Sequence, residues 1–337
     1  MTRFLGFVQT HISMTGSIGV GYAIVALLSL LALKAFAATT DQTQLLDAIR
    51  LVNQGKFVPA SQLLDSLVHT NPSVLNDTDR GMAWNTLGAM HMLMGDSERS
   101  RECYENAIRL LRKIPAASRA YASALANLAS LEMSMHQYEE AESPLRKAQQ
   151  IDAEAADHAG LQEVALYRTE LAIARNRTHA AQRFLADAFR EADQTKDLSL
   201  RNRATMYSAA GSVAVKLKDF STAVRYYQQS IDFSIQACGS RCFYTGLEYA
   251  FQAEAYRKLG DHEKARIAIT QALALTEQAV GRSGPVYIGM KVIYARILRG
   301  MGLKAEAKQQ EADARQQLDA MRQSQCNGCS ISALGFR

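Results

Sequence analysis

Five cysteines and seven histidines are the residues of this 337-residue chain whose chemistry would count first. Four of the cysteines form close pairs, Cys238-Gly-Ser-Arg-Cys242 and Cys326-Asn-Gly-Cys329, while Cys103 stands alone beside Tyr104. Thiols so spaced form local disulfides, ligate zinc or exchange electrons. A four-thiolate zinc site needs both pairs in one place, so the chain between them would have to fold back. A dithiol redox centre needs its Cys-x-x-Cys beside a βαβ unit, where a helix start lowers the thiol pKa, and nothing strand-like flanks Cys326. Disulfides Cys238–Cys242 and Cys326–Cys329 are the plainest reading for an exported chain; free thiols and metal or redox chemistry are the alternatives.

The histidines (His11, His69, His91, His136, His158, His179 and His262) fall into no H-E-x-x-H pattern. Neither a phosphate-cradling G-x-x-x-x-G-K-[ST] nor a nucleophile elbow G-x-S-x-G occurs. The glycines Gly16, Gly19 and Gly21 do not follow a strand, so they fail the context test for a nucleotide fingerprint. Glu139 and Glu140 sit where carboxylates would complement a helix N-terminus. The chain is therefore expected to be non-catalytic, with no catalytic, cofactor-binding or metal residues assigned. Its formal charge of +5 comes from interspersed charges, unlike the clustered basic face of a nucleic-acid binder.

Few prolines, 48% hydrophobic residues and many Ala, Leu, Gln, Glu and Arg predict an all-α fold. The first residues are a separate matter. Residues 18–33 form an uncharged apolar run, with Arg3 upstream and Ala35-Phe36-Ala37 downstream. A charged start, an apolar middle and an A-x-A ending describe an export signal. Extended upstream to Met14, the run also reaches the length of an uncleaved anchor. Residues 1–37 are thus read as signal peptide or signal anchor, and the rest as periplasmic or cell-envelope protein, with a membrane tether through 18–33 as the second form.

From residue 41 to 322 the chain repeats itself. Small residues recur at Ala48, Gly88, Ala129, Thr169, Gly211, Ala253 and Ala295. Turn residues recur at Gly55, Gly95, His136, Asn176, Lys218, Gly260 and Gly302, and a second small series runs Ala60, Ser100, Ala141, Ala181, Ala223, Ala265 and Ala307. All three series share the spacings 40, 41, 40, 42, 42 and 42. Two antiparallel helices approach closely only where side chains are small, so each period predicts a helix pair, with a large residue (Leu64, Tyr104, Leu145, Leu185, Tyr227, Ile269) filling the hole alongside. Glu311 and a polar run break the seventh period, as a terminal cap requires. The segments LLRKIPAAS and LTEQAVGRSGP are expected to link successive pairs, and residues 323–337 form a cysteine-containing tail.

The phrase Trp84-x-x-Leu87-Gly88-x-x-His91, followed by Gly95, Ser100, Tyr104 and Ala107, resembles the tetratricopeptide repeat. Leu125-Ala126-Asn127-Leu128 and Tyr138-Glu139-Glu140-Ala141 are similar to bacterial arrays with periods of this length. The resemblance is weakest in the fourth period, where Thr169 and Asn176-Arg177-Thr178 depart from the pattern. It implies a right-handed α-α superhelix whose concave face, lined by the first helix of each pair, receives a protein or peptide. On that face the frame places Met82, Asn85, Met92, Asn127, Ser130, Met133, Tyr167, Glu170, Ser212, Phe251, Glu254, Arg257, Arg296 and Arg299. Asn127 has a second reading, as a hydrogen bond between scaffold helices. The function expected is an exported protein–protein interaction scaffold; the alternatives are a structural envelope subunit with an empty groove and, remotely, a thiol redox protein using the tail pair.

Overall fold

The computed structural model describes residues 40–53, 55–69, 75–282 and 284–325. The proposed leader, residues 1–37 with the run 18–33, and the tail cysteines Cys326 and Cys329 lie outside them. Among the described residues the regular structure is helical, without strands, and no helix is long and apolar enough to cross a membrane.

Among the described residues, fourteen α-helices form seven pairs: α1 (Thr40–Asn53) with α2 (Phe57–His69), α3 (Asp77–Met94) with α4 (Ser97–Leu111), α5 (Ser118–Ser134) with α6 (Glu142–Glu154), and α7 (His158–Ala174) with α8 (Thr178–Gln194). Then come α9 (Leu200–Lys216) with α10 (Phe220–Cys238), α11 (Phe243–Leu259) with α12 (His262–Val280), and α13 (Pro285–Gly300) with α14 (Lys304–Gln325). The length beyond a shorter repeat goes mainly into the helices. The expected link LTEQAVGRSGP is helical through Val280, because Thr276 and Ala272 are needed in the core of α12. The link after α4 is a short 3-10 turn, Pro115–Ala117.

The repeat frame is physical. All seven turn positions have a left-handed backbone, from Gly55 at φ 72° to Gly302 at φ 81°. His136, Asn176 and Lys218 adopt it at φ 62°, 58° and 63°, although a Cβ there costs roughly 1 kcal/mol or more. That three repeats bear this strain shows how firmly pair packing dictates the turn. Ala48, Ala60, Ser100, Ala129, Ala141, Thr169, Ala181, Ala223, Ala253, Ala265 and Ala307 are completely buried. At Gly211 a Cβ would come within 2.6 Å of the Tyr227 ring, which occupies the space a side chain would take. In the second repeat the two small positions are joined, Ser100 Oγ donating to the Gly88 carbonyl at 2.8 Å. Leu64, Tyr104, Leu145, Tyr227 and Ile269 fill the adjoining holes; Leu185 of the fourth repeat is only half-buried.

The superhelix closes upon itself. Helix α2 of the first repeat lies against α12 of the sixth, and α3 of the second against α13 of the seventh. The closing contact is aromatic: Phe57 and Phe243, both buried, meet edge to face with ring centroids 5.0 Å apart. Gly55 brings the turn against the same Phe243. Each repeat at this seam thus touches the fifth one after it, as well as its sequence neighbours.

Candidate partner-binding site

The first helix of each pair forms the inner wall. Winding this tight buries it on nearly every side: α5, α7, α9 and α11 each have residues of all orientations in the interior. The second helices keep an exposed face, as α4, α8 and α10 show. This corrects the expectation of an open groove. Asn85, Met92, Asn127, Ser130, Met133, Tyr167, Glu170, Ser212 and Phe251 all face inward but are buried, so a partner can reach them only if the wall opens. Met82 is half-buried. The accessible part of the predicted set is its last stretch, Glu254, Arg257, Arg296 and Arg299.

Inside the wall, hydrogen bonds tie successive first helices together. Asn127 Nδ2 donates to Asn85 Oδ1 at 3.0 Å, and the Tyr167 hydroxyl donates to Asn127 Oδ1 at 3.0 Å. One asparagine therefore joins three repeats, the scaffold role weighed for it. Ser212 and the Tyr227 hydroxyl lie 3.1 Å apart. Gln162 and Asn202 continue the pattern between the fourth and fifth repeats, at 3.3 and 3.5 Å.

Charged groups share this interior: Glu170 was placed on it by the repeat frame, whereas Arg119, Arg201 and Glu248 were not. Arg119 reaches from α5 to Asp157 at 2.7 Å and Glu163 at 3.2 Å. The Arg201 guanidinium lies 4.2 Å from the centroid of the Tyr244 ring. Glu170, 4% exposed, finds no hydrogen-bond partner for either carboxylate oxygen, and burial raises its pKa well above the usual range. Burial raises Glu248 to about 7 despite hydrogen bonds with Ser208 and Ser230. The only clue in sequence was the presence of acids on first helices that are otherwise apolar.

In the sixth and seventh repeats, charge is more accessible. Arg257 grips Glu254 with two bonds of 2.7 Å, and Arg299 meets Glu311 of α14 at 2.6 Å. Arg296, between them, makes no ion pair with a described residue; partial burial lowers its pKa, against the pull of Glu254. Glu254 and Glu311 act on this guanidinium without pairing directly with it, which leaves its donors suited to a carboxylate from outside.

Of the remaining chemistry-bearing residues, Cys238 and Cys242 form a disulfide at the α10–α11 link. Cys103 is buried, which pushes its thiol up to about 12. His91 has its pKa lowered by burial, and His136 pairs with the Tyr138 hydroxyl at 2.6 Å. Glu139, just before the start of α6, binds Arg175 of the next repeat together with Glu142. No group of three or more metal-ligating side chains is assembled among the described residues.

Residues 79–154 and 249–278 match family models described as tetratricopeptide repeat, over the second and third pairs and within the sixth. No curated protein sequence matches the chain. Among solved structures, BtubC from P. vanneervenii aligns over 69% of this chain and 92% of its own, at 18% identity and a TM-score of 0.52. The apo form of RapI aligns over 84% and 100%, at 11% identity and a TM-score of 0.54. A Rap protein complexed with Competence and Sporulation Factor aligns over 84% and 78%, at 12% identity and a TM-score of 0.59. At such identities the likeness is one of fold.

Proposed function

From the premise that this chain is a tetratricopeptide repeat protein, we propose that it is a non-catalytic interaction scaffold. Its partner is a protein or peptide segment presenting a carboxylate to the inner wall of the sixth and seventh repeats. The observation that carries this reading is Arg296: inward, half-buried, without an ion pair among the described residues, and flanked by Arg257 and Arg299. A preformed wall orders little on binding, so each contact contributes with small entropic loss. The Rap protein complexed with Competence and Sporulation Factor is a precedent for this fold holding a partner. Immobilised chain and its R296E variant, incubated with envelope extract, test the idea. The wild type should retain a defined partner that R296E loses, since reversing the charge at the wall repels the carboxylate. Identical captured sets from the two, or none from either, would sink it.

We propose further that the chain works outside the cytoplasm. The apolar run 18–33 with its A-x-A ending supports this, as does the Cys238–Cys242 disulfide, because such bonds persist in oxidising compartments. Intact-mass measurement of fractionated cells is expected to find either a soluble exported chain lacking residues 1–37 or a full-length chain in the membrane fraction. Full-length, reduced protein in the soluble cytoplasm would overturn the proposal.

A further inference from the structure

A cavity of about 200 Å³ lies at the turn between α7 and α8. Four arginines line it, Arg168, Arg175, Arg177 and Arg183, against a single acid, Glu142. Arg175 is already neutralised, since it binds both Glu142 and Glu139. The other three make no hydrogen bond or ion pair through their side chains with a described residue; Arg168 instead lies over the Phe184 ring, 5.3 Å from its centroid. Glu142 and Asp187 act on Arg168, and Arg177 acts on Glu139, but none of the three guanidiniums is paired at ion-pair distance with a described residue. Partial burial lowers the pKa of Arg168 despite those acids.

The repeat frame shows what is missing there. The residue after the left-handed turn is Asp96, Asp219 and Asp261 in the second, fifth and sixth repeats. Each carboxylate accepts from a backbone N–H in the first turn of the following helix, at 3.1, 3.1 and 3.2 Å. The fourth repeat has Arg177 in that place, and α8 has neither a side-chain cap nor an acid in its first turn. The equivalent N–H belongs to Ala180, which lines the cavity. The other repeats have Lys56, Gln137 and Leu303 at this place, so the fourth combines the absence of a capping carboxylate with three further arginines around the same cavity.

We propose that this cavity binds a phosphate or phosphoryl group, held by Arg168, Arg177, Arg183 and the Ala180 amide. Three guanidiniums and a backbone donor offer more hydrogen bonds than the two oxygens of a carboxylate can use, whereas a tetrahedral oxyanion takes several at once. The site shares no residue with the sixth and seventh repeats, where the proposed partner docks, so it stands or falls independently of that reading. The group is either free phosphate or a phosphorylated side chain.

Calorimetry and thermal unfolding of the full chain in inorganic phosphate, against chloride at matched ionic strength, test the site. Phosphate is expected to bind and to raise the unfolding temperature. The informative variant is R177D, which supplies the carboxylate that three sister repeats use and so keeps the fold. It should unfold at a higher temperature without phosphate and bind phosphate about tenfold more weakly or worse, having lost one charge-assisted donor and gained a repulsive charge. The pair R168M/R183Q should lose the phosphate-dependent shift. Displacement of bound phosphate by a phosphoserine peptide assigns the group to a modified protein; failure to displace it assigns the site to the free ion. Equal unfolding temperatures in phosphate and chloride, or an affinity that R177D leaves unchanged, would overturn the proposal.

Discussion

Replacing Phe57 by alanine is expected to open the superhelix and to destabilise the chain by about 3–5 kcal/mol, the range for deleting a fully buried aromatic side chain. Phe57 lies on the second helix of the first repeat, and the ring it meets edge to face belongs to Phe243, at the start of the sixth. In an open solenoid each repeat contacts only its neighbours, so changes five repeats apart should add. Here the seam joins them. A double-mutant cycle of F57A and F243A should give a coupling of about 0.5–1.5 kcal/mol, as measured for aromatic pairs elsewhere. Small-angle scattering of F57A should show a larger radius of gyration with helix content by circular dichroism nearly intact. Strictly additive energies and unchanged scattering would mean that the seam does not hold the array closed.

The seam also marks the boundary of what the sequence makes legible. Turn positions could be placed because a left-handed backbone selects Gly, Asn or a tolerated exception every forty-odd residues. Small positions could be placed because a close helix crossing excludes anything larger. Both constraints act within one repeat and so recur in the sequence. Closure acts between repeats five apart, and Phe57 and Phe243 look like any other core residues. Without closure in view, the inner wall reads as a groove, and Met92, Met133 and Phe251 read as available contacts when they are buried. A scaffold hydrogen bond was one of the two readings of Asn127, but its partner Asn85 emerges only from the packing of the helices. The Arg177 pocket could be foreseen only as a weakness in the fourth repeat, since a missing capping carboxylate leaves an irregularity and not a motif.

The acids inside the wall give the second large effect. A carboxyl whose folded pKa lies above its unfolded value keeps a proton that the unfolded chain has released. The stability it allows is therefore fully present below the unfolded value and declines as pH rises toward the folded one. For Glu170 the decline begins near 4.5, its ordinary value, and burial carries the folded value well above that. Each pH unit in this window removes about 1.4 kcal/mol. Glu248 and Asp152, both raised to about 7 by burial, add their own declines up to that pH. Urea unfolding of the wild type should accordingly show stability falling steeply from pH 5 to pH 7. Glu170 has no hydrogen-bonding partner for either oxygen, so E170Q loses no bond and cannot ionise. The variant should flatten the profile by about 1.4 kcal/mol per pH unit and be the more stable protein at neutral pH. A slope identical to that of the wild type would show that Glu170 finds water or a cation when ionised, and hence that the inner wall is less tightly closed than the packing of the first helices requires.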